Sequence, residues 1–387
     1  LVQFSERYTL GFSMGDTELP ISVANFKYFQ LYENINIDFP IAELSFTDVG
    51  GLIMEGFSFV GGECVTVFYD INGGVGSFDL IVGSLYPRVI DRENTNEVLM
   101  YLHWPQYSES HNAYCGGFYG EVSELARKLA ETLGASSYDI EEVKTKLNFV
   151  AVGTPFMSAL QYLAEVAKGA YSGFAWFWDK ENEFHFRSVS SFFTKPIFRT
   201  VDLRDRLDSE NDPDNLTYGQ VFQNMARSEH LWGFKGTEGM YFDWNDNQFI
   251  LQEAYPSQID KYPLANRFLL RQKEETSENF NAGWLGRADP QYPSELHNNY
   301  VEGYVLDRLN WAVRFILSTN GDWRYRLGQI IEIVRPSAVP ERAFDEQCSG
   351  SWMIEGIVHR FDQDDYKGQL QLIRNGVNLR DESEFVR

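Results

Sequence analysis

The amino-acid sequence predicts a β-rich α+β fold, and three features carry that expectation. Short apolar-aromatic runs of strand length fill the first hundred residues and recur in the last sixty. Glycine pairs at Gly50-Gly51, Gly61-Gly62 and Gly73-Gly74 punctuate the first block. Between the two blocks, only a few stretches show the periodicity of an amphipathic helix. Aromatic residues make up 16% of the chain, which suits strands and large contact surfaces, and also carbohydrate binding.

Residues 1–103 read as a first β block. Its strands are expected in TLGFSM, ISVANFKYFQLY, INIDFPIAELSFTDV, GLIMEGFSFV, ECVTVFYDI, GSFDLIVGSLYPRVI and NEVLMYLHW, a spacing that fits a sandwich or barrel. Residues 104–200 read as an α+β module. Val122, Leu125, Ala126, Leu129, Ala130 and Leu133 make one helical stripe that stops at Gly134. A second helix is expected from Thr154 as N-cap and Pro155 at the first helical position, with Phe156, Leu160, Leu163, Val166 and Ala167 on one face before Gly169. Loss of that cap is expected to cost about 1 kcal/mol. Strands Gly173–Asp179 and Glu183–Val189 follow, joined by Lys180-Glu181-Asn182. The run Phe174-Ala175-Trp176-Phe177-Trp178 is apolar throughout and reads as strand core buried on both faces.

Residues 202–215 are acidic and polar and read as a linker or an exposed loop rather than a core element. A strand is expected within Gln220–Gly236. Residues 237–297, with Pro256, Pro263, Pro290 and Pro293, read as a loop-rich insertion. A helix is expected over Asn298–Phe315. The chain then closes on strands Gly328–Pro336, Ser351–Phe361 and Tyr366–Gly376, the last two joined by a turn at Asp362–Asp365. Gln369-Leu370-Gln371-Leu372 alternates strictly, so this strand has one wet and one dry face.

The net charge of −23 argues against sequence-specific nucleic-acid binding, which needs Lys and Arg to neutralise phosphates. It is compatible with DNA sliding through an acidic, non-adhering channel. Cys64, Cys115 and Cys348 match no metal spacing; with an odd count and no secretory leader, reduced thiols are expected. No window approaches the ~18 apolar residues of a membrane span, so no stable membrane insertion is expected. Glu183 beside the Trp-rich strand and Asp243 in FDWND are candidates for a glycosidase carboxylate pair. With 56 acidic residues in 387, however, such neighbours arise by chance. The six histidines form no HxH or HExxH, and lone strand histidines such as His185 and His359 read as satisfied structural groups. Asp243-Asn245-Asn247 and Asp362-Asp364-Asp365 lack the glycine and distal glutamate of a calcium loop. No GxSxG and no phosphate-binding loop occurs. Neither a catalytic constellation nor a cofactor or metal site is expected, which favours a structural or assembly role.

The order of parts carries a resemblance. A β domain is followed by the helix TPFMSALQYLAEVAKG, the hairpin FAWFWDKENEFHF, a long middle region and the helix NNYVEGYVLDRLNWAVRF. The closing strands RLGQIIEIV and WMIEGIVHRFDQDDYKGQLQLIRNGV complete the series. This order resembles the central baseplate hub proteins of contractile-tailed phages of the T-even type, and the hub portion of the VgrG spikes of type VI secretion. Residues 237–297 have no counterpart in it. The resemblance implies two tail-tube-like β-barrel domains, at 1–103 and at 216–236 joined with 298–376. It implies a non-enzymatic homotrimer whose six quasi-equivalent barrels form a ring. That ring would join the hexameric tail tube protein to a trimeric spike protein, among baseplate wedge proteins, around a DNA channel. Lysozyme or spike functions would belong to partners. The setting would be the virion tail baseplate, assembled in the host cytoplasm. Strands Gly328–Val334 and Trp352–Val358, including Trp352 and Ile354, would line or brace the ring. Trp323 and Tyr325, alternating with Arg324 and Arg326, would meet acidic neighbours across a subunit boundary; the alternative is an ordinary edge strand. A VgrG-like secretion hub and a carbohydrate-binding or carbohydrate-degrading tail protein are the rival readings.

Overall fold

In the first β block, apolar side chains at every second position drive one face of each strand out of water. The computed structural model describes residues 2–3, 7–71, 74–89, 95–203, 221–224, 237–243, 248–254 and most of 299–374. The first block consists of β1 (Val2–Gln3), β2 (Tyr8–Met14), β3 (Thr17–Glu18), β4 (Phe26–Asn34) and β5 (Ile41–Val49). After a short helix α1 (Leu52–Phe57) come β6 (Cys64–Ile71), β7 (Gly74–Val89) and β8 (Thr95–His103). The middle module holds α2 (Pro105–Ser110), β9 (Ala113–Glu121), α3 (Val122–Thr132), β10 (Ser137–Ile140), β11 (Lys146–Pro155) and α4 (Phe156–Val166). It continues with β12 (Phe174–Trp178), β13 (Glu183–Ser188), α5 (Val189–Phe192) and β14 (Ile197–Asp202). The remainder supplies β15 (Val221–Asn224), β16 (Thr237–Asp243), β17 (Gln248–Ala254), β18 (Val313–Thr319), β19 (Ile330–Val334), β20 (Gly350–Asp362) and β21 (Tyr366–Arg374).

Among the described residues the two β blocks join in one 14-stranded sheet, with the path β1-β2-β6-β7-β8-β5-β4-β20-β21-β18-β15. The seam is β20. Its first residues pair with β19 (Ile330↔Met353), its last pair with β4 (Val358↔Tyr32), and its other edge pairs with β21 along most of its length. A bulge at Glu355 shifts the register between Ile354 and Gly356, changing which face each later side chain takes. The sheet curls so that Tyr8 of β2 meets Phe361 of β20, their ring centroids 5.1 Å apart, and Arg7 reaches Asp365 at 3.4 Å.

Among the described residues, two hydrophobic cores result. The first joins the interior of the first block (Phe12, Phe29, Leu44, Met100, Trp104) to α3 and α4 through Leu125 and Leu160. The second gathers Phe315, Ile331, Trp352 and Leu370 with Phe177 and Phe192 from the middle module. Trp323, Phe361 and Tyr366 lie late in the chain yet belong to the first core.

The α3 stripe and the hairpin β12–β13 form where expected. So does the closing turn, where Asp362 donates its N–H to the carbonyl of Asp365 at 2.9 Å. Several expectations need correction. GLIMEGFSFV is not a strand: Gly50 and Gly51 take φ of 70° and 74°, which strand backbone cannot, and the Asp48 carboxylate accepts the N–H groups of Ile53 and Met54 at 3.0 Å each. Thr154 caps nothing; it lies within β11, paired with Tyr114, and α4 has Pro155 at the N-cap without a side-chain bond. The β9–β11 ribbon was not legible in the sequence. Thr237–Asp243 and Gln248–Ala254 are not loop but the antiparallel pair β16 and β17, with Met240 opposite Leu251 and Phe242 opposite Phe249. Asn299, Glu302, Gly303, Leu306 and Asn310 are helical, but Val313 to Phe315 are strand. Residues 204–220, covering most of the acidic linker, and 225–236 of the strand expected in Gln220–Gly236 lie outside the described residues.

Gly321 is held at φ 70°, and a Cβ there would sit 2.7 Å from the Tyr366 ring. Gly321→Ala is therefore expected to cost about 2–4 kcal/mol, combining left-handed strain and overpacking. Thr154→Val should cost under ~0.5 kcal/mol, as an uncapped site predicts. Urea denaturation of both variants checks the pair.

Candidate functional site at the joint between the two cores

The densest chemistry in the described residues lies where the β12–β13 hairpin meets β4 and β20. Asp179 shapes the hairpin turn, accepting the N–H groups of Glu181 and Glu183 on Oδ1 at 2.9 and 3.0 Å. Asn182 adopts φ 59°, which asparagine tolerates better than most residues. This geometry drives Lys180 inward, where its side chain is only 1% exposed. Its N–H donates to Glu33 Oε2 at 3.0 Å, and Nζ donates to Glu33 Oε1 at 3.3 Å and to the carbonyl of Tyr325. Nζ also lies 5.1 Å from the Trp323 ring centre. His359 of β20 donates or accepts through Nδ1 with the Tyr366 hydroxyl at 2.7 Å. Its Nε2 is 3.5 Å from Glu33 Oε1 but outside hydrogen-bond geometry.

Burial by itself would raise the Glu33 carboxyl; the Lys180 ammonium and His359 reverse that and bring it down to about 2. Burial, helped by the Lys180 charge, pushes His359 down to about 4, so it is neutral at pH 7. The joint is thus a carboxylate–ammonium pair sealed by a neutral histidine.

A second cluster lies on the other side of the same turn. His185 bridges two carboxylates, Nδ1 to Asp139 and Nε2 to Asp179, each at 3.3 Å, with its ring stacked on Phe177. Burial opposes its charge, but these two carboxylates win and hold its pKa at about 9. Arg187 and Lys195 also bond Asp139, whose carboxyl is held far below the ordinary range despite its burial. Arg326 lies within 3.8–4.0 Å of Asp179, Glu181 and Glu183. Asp179, Glu183 and His185 converge closely enough to hold a metal ion. With both imidazole nitrogens bonded to carboxylates and a guanidinium alongside, the cluster is better matched to its own cations than to a metal.

The sequence-selected residues separate into two groups. Trp323, Tyr325, Trp352 and Ile354 are buried within the chain. Trp352 donates Nε1 to the carbonyl of Cys348 at 2.8 Å beneath the Arg374 guanidinium, and Ile354 bonds Gly328 and Gln329 through its backbone. Residues 323–326 form a turn rather than an edge strand. Only Arg324 and Arg326 keep exposed side chains, and the acidic partners shown belong to the same chain. Arg324 grips Asp322 with Nε at 2.9 Å and Nη2 at 2.7 Å, and Arg199 of β14 bonds Asp322 at 3.1 Å. Of the two carboxylates raised as glycosidase candidates, Glu183 lies in the His185 cluster, 3.8 Å from Nε2, and the side chain of Asp243 lies outside the described residues. Glu33 and Lys180 were missed altogether. A lysine between Asp and Glu in a hairpin turn reads as solvated, and only the docking of β4 and residues 322–326 onto that turn buries it.

No protein-family model and no curated protein matches the sequence. Solved structures do match in fold. A tail protein from Neisseria meningitidis MC58 superposes with a TM-score of 0.62 at 11% identity, covering 96% of this chain and 98% of its own. The 43 kDa tail protein of prophage MuSo2 from Shewanella oneidensis gives 0.59 at 11% identity, with 96% and 97% covered. The chain has the fold of phage tail proteins. The same fold extends to a Francisella PdpA–VgrG complex, with a TM-score of 0.53 at 10% identity, covering 97% of this chain and 59% of that one.

Two predictions follow from the joint. Lys180→Met strands a buried carboxylate and should cost about 3–5 kcal/mol, whereas Lys180→Met with Glu33→Leu should recover most of that loss. A double variant no more stable than the single one would refute the pairing. The histidines predict a stability maximum near pH 6.5. His359, depressed to about 4, contributes fully above its ordinary 6.5 and loses that contribution as pH falls toward 4. His185, raised to about 9, contributes fully below 6.5 and loses it as pH rises toward 9. Each limb is on the order of 3 kcal/mol. Thermal melting against pH should show His185→Gln flattening the alkaline limb alone.

Proposed function

We propose that the chain is a non-enzymatic structural hub of a contractile injection machine, a phage tail baseplate in the first instance. The observation that carries this reading is the tail-protein fold, shared over 96% of the chain and nearly the whole length of its structural neighbours. In this reading each β block is a tail-tube-like barrel, and a homotrimer presents six of them as a ring between the hexameric tail tube and a trimeric spike. A cyclic trimer closes a heterologous interface, in which strand edges can be satisfied by neighbouring subunits. The charge of −23 supports a channel that lets DNA pass without adhering. The buried carboxylates of the joint are committed to lysine, arginine and histidine of the same chain, as suits a rigid scaffold. Wedge proteins would bind the outer surface.

At the subunit boundary the proposal retains Arg324 and Arg326, whose guanidinium groups stay about half exposed. The weak, 3.8–4.0 Å contacts of Arg326 leave it the freer of the two to pair across a boundary. A VgrG-like hub of a secretion spike is the second reading, favoured by the match to the Francisella complex.

Electron-microscopic class averages of the purified protein, co-expressed with a spike partner, test the ring directly. Rings of threefold or pseudo-sixfold symmetry with a central hole are expected; solid asymmetric monomers in the presence of the spike would sink the proposal. Arg326→Glu should reduce ring formation while leaving the melting temperature within a few degrees.

A further inference from the structure

A cavity of about 320 Å³ opens beside the joint. Its wall is aromatic, made by Phe174 and Trp176 of β12 and by Trp311, and its polar groups include Asp38 from the β4–β5 connection with Gln161 and Glu165 of α4. The wall is preformed. Trp176 is wedged edge-on between Phe39 and Trp178, and Trp311 is anchored by donating Nε1 to Glu355 at 2.7 Å. Glu165 already accepts a bond from Gln161. Asp38 differs: its backbone carbonyl accepts the Trp178 N–H at 2.9 Å, but no hydrogen bond to its carboxylate is found among the described residues. Burial pushes that carboxyl up to about 6, with His111 acting in the opposite sense. None of the described lining residues is a lysine or arginine.

A half-buried carboxylate without a partner is costly, and the group that best repays it is a cation able to bond the carboxylate and lie against aromatic rings. The volume accommodates a guanidinium or alkylammonium group with its apolar stem. We propose that this cavity binds an organic cation, the guanidinium or ammonium head of an arginine- or lysine-like group, with Asp38 as its counter-ion. A neutral sugar would leave the Asp38 charge unmatched. The inference stands apart from the ring reading, since it depends on the cavity of one chain.

The test is isothermal titration of the full chain with N-acetylarginine amide, with spermidine, and with methyl glucoside as a neutral control. Saturable binding of at least one cation, and none of the glucoside, is expected. Tighter binding of the arginine amide points to a side chain from a partner polypeptide, and tighter binding of spermidine to a free polyamine. Asp38→Asn, isosteric and uncharged, should weaken binding about tenfold or more. Gln161→Trp, placed on the exposed rim of α4, should block entry without touching the core. Affinity should also fall as pH drops through about 6, where a proton competes for Asp38; Glu165 and His111 are the other titratable groups facing it. No saturable binding of either cation, equal binding of the glucoside, or undiminished affinity in a folded Asp38→Asn variant would overturn the proposal.

Discussion

An ammonium group removed from water constrains the whole joint. Lys180 needs Glu33 from β4, the carbonyl of Tyr325 and the Trp323 face in place together, because a lone charge in that position costs several kcal/mol. Lys180 and these partners come from three stretches far apart in the chain. The pair therefore acts as a check on assembly: the first block, the hairpin and the 322–326 turn either dock in one arrangement or leave a charge stranded. Its contribution is greater to the uniqueness of that arrangement than to raw stability, since an apolar pair of the same volume could fill the space.

The long strand β20 meets the same constraint from the other direction. It pairs with β19, β21 and β4, so both β blocks hang on one continuous backbone. Its bulge turns Glu355 toward Asn36, Trp311 and Arg314 and leaves His359 over Glu33. Across the β20–β4 seam, His359 approaches Glu33 at 3.5 Å, and Lys180 ties Glu33 in turn to the hairpin and to the carbonyl of Tyr325.

Much of the local structure was legible. Gln369-Leu370-Gln371-Leu372 alternates in sequence and in burial, because one face of β21 meets the second core and the other meets water. The α3 stripe is buried at Val122, Leu125, Ala126 and Leu129 as its periodicity required. Errors arose where local cues had two solutions. An apolar run after Gly50-Gly51 has strand composition, but positive φ and the Asp48 carboxylate turn it into a helix. Thr154 has cap chemistry, but pairing of β11 with β9 draws it into a strand first. Trp323 and Tyr325 alternate with arginines as in an edge strand, yet they lie in a turn whose aromatic rings are pulled into cores from both blocks.

The sequence by itself determined the β-rich class, the order of strand blocks, helices and closing hairpin, and the acidic balance, because these depend on periodicity and composition within short windows. The tertiary structure alone decided that the two blocks share one sheet, that Lys180 is interior, and that Asp38 faces a cavity. Each of these depends on contacts between residues more than a hundred positions apart, and no local pattern encodes the burial that turns an ordinary Lys, His or Asp into a working part of the joint.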